Sequence, residues 1–276
     1  MERSSEYALI AQDRDSGEPT RPITWREAVA GQAQTWRIEI LLGAVLVIAV
    51  SLPLMLFTGL SGGYLATALL LFAALTLLVL FTAPAHFRTR GPGPANRVTF
   101  LRAALVVPIA AGVLHPSLLE AAVIHALFAL AVIALVLDGA DGALARRSGR
   151  VTAFGARFDM ELDAVLILVL AILVWQTGKV GPWVLLIGLM RYGFVVAGWY
   201  WRWLQGALPP SRRRQTLCVV QSVALLIALA PPVPPAFAVA ASLGALALLV
   251  YSFAVDTRWL YRHRASDSAA RSGPCG

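Results

Sequence analysis

The sequence predicts an all-α polytopic membrane protein with about eight transmembrane helices, and three observations predict it. Hydrophobic residues make up 58% of the 276 positions and charged residues 14%, too little polar surface to cover a soluble globule of this size. The apolar residues come in runs of roughly 15 to 23, close to the length a helix needs to cross about 30 Å of hydrocarbon. They lack the two-residue alternation of a barrel strand. Basic residues, finally, gather at alternate breaks between the runs, the bias that orients helical membrane proteins.

Taken in order, residues 1–37 mix acidic and basic side chains without an apolar signal-peptide region, and are expected to form a cytosolic tail. Apolar runs then cover 38–60, 64–82, 100–114, 118–137, 162–176, 182–201, 216–230 and 237–255. Glycine- and proline-rich breaks separate them, among them Ser61-Gly62-Gly63, Gly91-Pro92-Gly93-Pro94 and Pro231-Pro232. The basic, Gly/Pro-rich stretch 86–94 sets the first two runs apart as an accessory hairpin at 38–82, ahead of a membrane domain at 83–257. Residues 258–276 form a second cytosolic tail.

Arg88, Arg90 and Arg97, then Arg146, Arg147 and Arg150, then Arg212 to Arg214, then Arg258, Arg262 and Arg264 all fall on one side of an eight-span arrangement. The other side holds Lys179, the sole lysine, so both termini are expected in the cytosol. The net charge of +8 follows from that bias and does not call for a nucleic-acid partner. Cys218 and Cys275 have neither disulfide nor zinc-site spacing, and His86, His115, His125 and His263 lack metal-ligand spacing. Trp199, Tyr200, Trp201 and Trp203 read as an interfacial aromatic belt.

The carboxylates point to chemistry. Between residues 38 and 256 there are eight acidic residues, and five of them crowd into 138–163. Ionisable groups in spans cost about 2.5 to 3.5 kcal/mol each at the helix centre, so they persist where they pair, bind ions or react. Asp138 and Asp141 are three apart at the end of one span, and Asp159 and Asp163 four apart at the start of the next. Each pair therefore shares a helix face. Four carboxylates facing one cleft would repel unless cations sat between them, and oxygen-only ligands suit Mg²⁺, Mn²⁺ or Ca²⁺. One or two metal ions are implied. A rival reading, a divalent-cation channel or transporter, predicts acidic residues on several spans at midplane depth; here they lie at one membrane face.

The stretch Asp138-Gly139-Ala140-Asp141-Gly142-Ala143-Leu144-Ala145-Arg146, followed at set distances by Gly155, Asp159 and Asp163, resembles the signature of the CDP-alcohol phosphotransferases. Asn96, Thr99 and Arg102 are similar to the Pro-Asn-x-x-Thr-x-x-Arg opening of that family's first core span, with Ala95 inserted between Pro94 and Asn96. The resemblance implies a six-helix core, preceded here by the extra hairpin. It implies transfer of a phosphatidyl group from a CDP-lipid to a small alcohol, with release of CMP and two Mg²⁺ or Mn²⁺ ions. Asp138, Asp141, Asp159 and Asp163 would be the metal ligands, with Asp163 also the base. Asn96, Thr99, Gly142, Ala145, Arg146 and Gly155 would surround the CDP moiety. It further implies a homodimer, while the basic-residue bias puts the site at the cytosolic face, in what is expected to be a bacterial inner membrane.

The acceptor would be written in the later spans. Arg191 lies within an apolar run and needs an anionic partner, and Arg212, Arg213 and Arg214 open the seventh run. Together they are expected to receive a phosphorylated acceptor such as glycerol 3-phosphate or inositol phosphate. A role for Arg212 to Arg214 in topology or lipid-headgroup contact is the competing expectation.

Overall fold

In a computed structural model of the chain, residues 25–83, 94–115, 121–148, 153–206, 208–209 and 211–271 are described, with side chains for 37–83, 97–115, 121–139, 154–206, 208–209 and 211–263. Every regular element among them is helical. There are eight α-helices among the described residues: α1 (Trp25–Thr58), α2 (Gly62–Thr82), α3 (Pro94–Val113), α4 (Ala121–Ser148), α5 (Ala153–Gln176), α6 (Leu185–Tyr200), α7 (Arg212–Leu229) and α8 (Pro235–Arg271). One-turn 3₁₀ segments, Pro182–Val184 and Arg202–Gln205, flank α6.

Five stretches are long and apolar enough to cross a membrane: Arg37–Thr58, Gly62–Thr82, Ala121–Gly139, Pro182–Tyr200 and Pro235–His263. They make the protein an integral membrane protein. The other three helices carry polar groups at one end: Arg97 and Arg102 on α3, Arg157, Asp159, Glu161 and Asp163 on α5, and Arg212 to Arg214 on α7. Two helices outrun their apolar runs. Helix α1 begins at Trp25, inside the segment expected as a cytosolic tail, and α8 continues to Arg271. A helix satisfies its own backbone hydrogen bonds and so can extend past the hydrocarbon into water, whereas hydropathy marks only the lipid-spanning part.

Helix α3 is the hub. It packs against α1, α2, α4 and α5, while α7 packs against α4, α5 and α8, and α6 lies on α5. The core joins side chains from both the hairpin and the rest of the chain, including Tyr64, Phe72, Phe100, Ile109, Leu127, Leu170 and Leu225. Tyr64 on α2 donates its hydroxyl to the Pro108 carbonyl on α3 at 2.9 Å. Helices α5 and α6 approach closely at Gly188, where a Cβ would lie 2.5 Å from the Leu168 Cα. Small residues allow such approaches where van der Waals packing replaces hydrophobic drive. At the far end of α5, Gln176 donates to the Val113 carbonyl of α3 at 3.0 Å, and Lys179 donates to the Ala230 carbonyl at 2.6 Å. These contacts tie the ends of α3, α5 and α7 together.

Candidate active site

The carboxylates meet where the second half of α4 and the first half of α5 converge on α3. Asp138 ends the apolar stretch of α4, and Gly155, Asp159 and Asp163 recur every four residues on α5, forming one stripe. One carboxylate oxygen from each of Asp138, Asp159 and Asp163 lies within 4.8 Å of the others. Between them sits Arg102 of α3, whose side chain is only 4% exposed. Its Nη1 pairs with Asp138 Oδ1, while its Nη2 lies 2.8 Å from Asp159 Oδ1 and 2.9 Å from Asp163 Oδ1. Desolvation of a guanidinium this deep is offset only by close anionic partners, and here it has three.

Three carboxylates against one guanidinium leave a formal excess of two negative charges at the described part of the site. That charge, the oxygen-only donors and their convergence fit a hard divalent cation such as Mg²⁺ or Mn²⁺. The two oxygens of Asp163 face different neighbours. Oδ1 meets Arg102, while Oδ2 lies 3.9 Å from the Cys218 thiol on α7. Helix α7 thus packs against the second oxygen of Asp163.

The predicted donor-site residues fall partly within reach of this centre. Thr99 is half-buried on α3, three residues before Arg102, and Gly155 is buried one turn before Asp159. The side chains of Asp141, Ala145, Arg146 and Asn96, and the surroundings of Gly142, lie outside the described residues.

Three of the four arginines expected to bind the acceptor are held by carboxylates of the chain itself. Arg191 on α6 donates through Nη2 to Glu161 Oε1 at 2.5 Å and through Nε to Oε2 at 3.4 Å. Glu161 sits two residues from both Asp159 and Asp163, so it points to another face of α5. Arg213 and Arg214 both reach Asp256 on α8, and Arg214 also donates to the Pro209 carbonyl. Arg212 is exposed.

Arg102 and Cys218 are the site residues that motif reading left without a role. A charged residue inside the apolar run 100–114 was the available signal for Arg102, since such residues in spans are kept for pairing or function. Cys218 gave no signal, because a lone cysteine in an apolar run looks like any small hydrophobe.

A family model described as CDP-alcohol phosphatidyltransferase matches residues 94–253, from the first residue of α3 into α8. The chain belongs to that family. The match contains all three converging aspartates, Arg102 and the arginines of α6 and α7, and it begins after the α1–α2 hairpin. Comparisons with curated proteins and with solved structures give no match. A CDP-alcohol phosphatidyltransferase moves a phosphatidyl-type group from a CDP-linked donor to an alcohol, so the donor, the acceptor and the surrounding lipid are this chain's expected ligands. The half-buried trio at the end of α4 and the start of α5 can hold the metal ion such a transfer uses.

Proposed function

We propose that this phosphatidyltransferase transfers the phosphatidyl group of CDP-diacylglycerol to a small alcohol, releasing CMP, at the cytosolic face of a bacterial inner membrane in phospholipid synthesis. The observation that carries the reading is the meeting of Asp138, Asp159 and Asp163 around one buried charge centre within the family-matched part of the chain. Their gathering at the same end of the apolar runs 118–137 and 162–176 favours a reaction site over an ion path along the spans.

Asp138, Asp141, Asp159 and Asp163 would hold two Mg²⁺ or Mn²⁺ ions, which when bound neutralise the pyrophosphate and the departing CMP. Asp163 takes the proton from the acceptor hydroxyl. That its Oδ2 is turned away from Arg102 toward α7 supports this role. The acceptor oxygen then forms a bond to the lipid-side phosphorus as the bond to the bridging oxygen of CMP breaks. Asn96, Thr99, Gly142, Ala145, Arg146 and Gly155 position the CDP moiety, so the reacting atoms approach in line.

Arg191, with Arg212 to Arg214, receives a phosphate on the acceptor, which points to glycerol 3-phosphate or inositol phosphate. In support, Arg191 stands on α6, which packs against α5, the helix of Asp163. Glu161 and Asp256 hold the guanidiniums extended until a phosphate competes for them. The protein works as a homodimer, as members of the family commonly do, and the basic-residue bias supports both termini in the cytosol.

The test is CMP release by purified protein in detergent with CDP-diacylglycerol and Mg²⁺ or Mn²⁺, screening glycerol 3-phosphate, inositol phosphate, inositol, serine and choline. Acceptor-dependent release identifies both reaction and acceptor. Folded, metal-binding protein that releases no CMP with any of them would refute the donor assignment.

A further inference from the structure

The α1–α2 hairpin lies outside the family-matched region, yet it grips the helix that supplies Arg102. Glu39 on α1 is a buried carboxylate, 6% exposed, paired with Arg97 Nε of α3 at 2.9 Å. One turn further along α1, Gly43 leaves no room for a side chain: a Cβ there would lie 2.6 Å from Phe72 Cζ and 3.1 Å from Phe100 Cε1. The rings of Phe72 on α2 and Phe100 on α3 stand 5.7 Å apart and tilted by 58°. An ion pair and an aromatic interlock thus hold the same turn of α3, between residues 97 and 100.

That turn is two-faced. At about 100° per residue, Thr99 and Arg102 lie about 200° and 140° round the helix from Arg97, on the side away from the hairpin. There Arg102 meets Asp138, Asp159 and Asp163. Any roll or slide of α3 allowed by a loosened hairpin would therefore move Thr99 and the Arg102 guanidinium relative to the carboxylates. Bidentate and charge-assisted contacts tolerate little displacement.

We infer that the hairpin is a buttress of the active site: Glu39, through Arg97, is a positioning residue that sets the rotation and depth of α3, and with them Arg102 and the nucleotide end of the donor site. The nucleotide part of this inference rests on the donor-site reading of Asn96 and Thr99 above; the Arg102 part does not.

The deciding experiment is a double-mutant cycle of Glu39→Gln and Arg102→Met, read as melting temperature of the purified protein in detergent, with Arg97→Lys replacing Glu39→Gln should that variant fail to fold. Independent sites this far apart give additive shifts. The expected result is coupling, with Arg102→Met lowering the melting temperature at least twice as much in the wild-type background as beside Glu39→Gln. In the same preparations, Glu39→Gln should raise KM for CDP-diacylglycerol at least fivefold and leave KM for the acceptor within twofold. A hairpin that only adds stability would leave both KM values alone. Additive melting shifts, or a donor KM within twofold of an active wild type, overturn the inference. A wild type that releases no CMP would defeat the proposed reaction instead, and the melting cycle would still decide whether the hairpin positions Arg102.

Discussion

Arg102 and Asp163, 61 residues apart in the sequence, meet through Nη2 and Oδ1 at 2.9 Å. The same nitrogen lies 2.8 Å from Asp159, so one buried guanidinium is the shared counter-charge of both carboxylates. Removing it would leave three neighbouring carboxylates without the counter-charge they share in this arrangement. Arg102→Met should therefore cost about 3 kcal/mol of stability in metal-free protein. Saturating Mn²⁺ should recover much of that loss, because binding to the folded state alone adds stability by mass action. Thermal unfolding with and without Mn²⁺, after exhaustive chelation, measures both effects; an Mn²⁺-induced rise no larger in the variant than in wild type would argue against a shared role for guanidinium and metal.

Asp163→Asn keeps the shape of the side chain while removing its ability to accept the acceptor's proton. Loss of a general base costs about 10²- to 10⁴-fold in kcat. CMP release should fall by at least the lower figure, while CMP affinity, measured by titration calorimetry in Mg²⁺, changes by no more than a few-fold. Near-normal turnover in the variant would remove Asp163 as the base.

Arg191, proposed to receive the acceptor's phosphate, is held by Glu161 through two hydrogen bonds. Arg191→Gln is expected to raise KM for a phosphorylated acceptor about tenfold or more, the loss of a charge-assisted contact. The KM for the donor should stay within twofold. Initial rates with each substrate varied in turn make the comparison, and equal rises in both KM values would assign Arg191 to the scaffold.

Gly188 tests the packing that carries Arg191. Alanine is favoured over glycine within a helix by about 1 kcal/mol, so propensity alone predicts stabilisation. The new Cβ, however, would meet backbone, the Leu168 Cα at 2.5 Å, and such overpacking costs about 1 to 3 kcal/mol. Gly188→Ala should lower the melting temperature, whereas Gly193→Ala on the same helix, with no atom within 4 Å of its Cβ, should leave it unchanged or higher. A Gly188→Ala protein as stable as wild type would mean that α5 and α6 can part at little cost.

Local pattern was enough to read the helical membrane class, the order of the apolar runs and the aspartates. Hydropathy works over one helix length, and i, i+3 and i, i+4 spacing places side chains on a face without knowledge of any neighbour. Asp138, Asp159 and Asp163 could be named for that reason, as could the family, whose signature runs along two consecutive helices. Helix ends were less legible, since α1 starts at Trp25 and α8 runs to Arg271, beyond what apolarity can mark. Only the tertiary structure decided which charges pair. Arg102 with three aspartates, Glu39 with Arg97, Arg191 with Glu161, and Arg213 and Arg214 with Asp256 each join different helices. Such pairings depend on how helices pack and rotate against one another, and that follows from the fit of distant side chains such as Phe72 against Phe100, which no single segment contains.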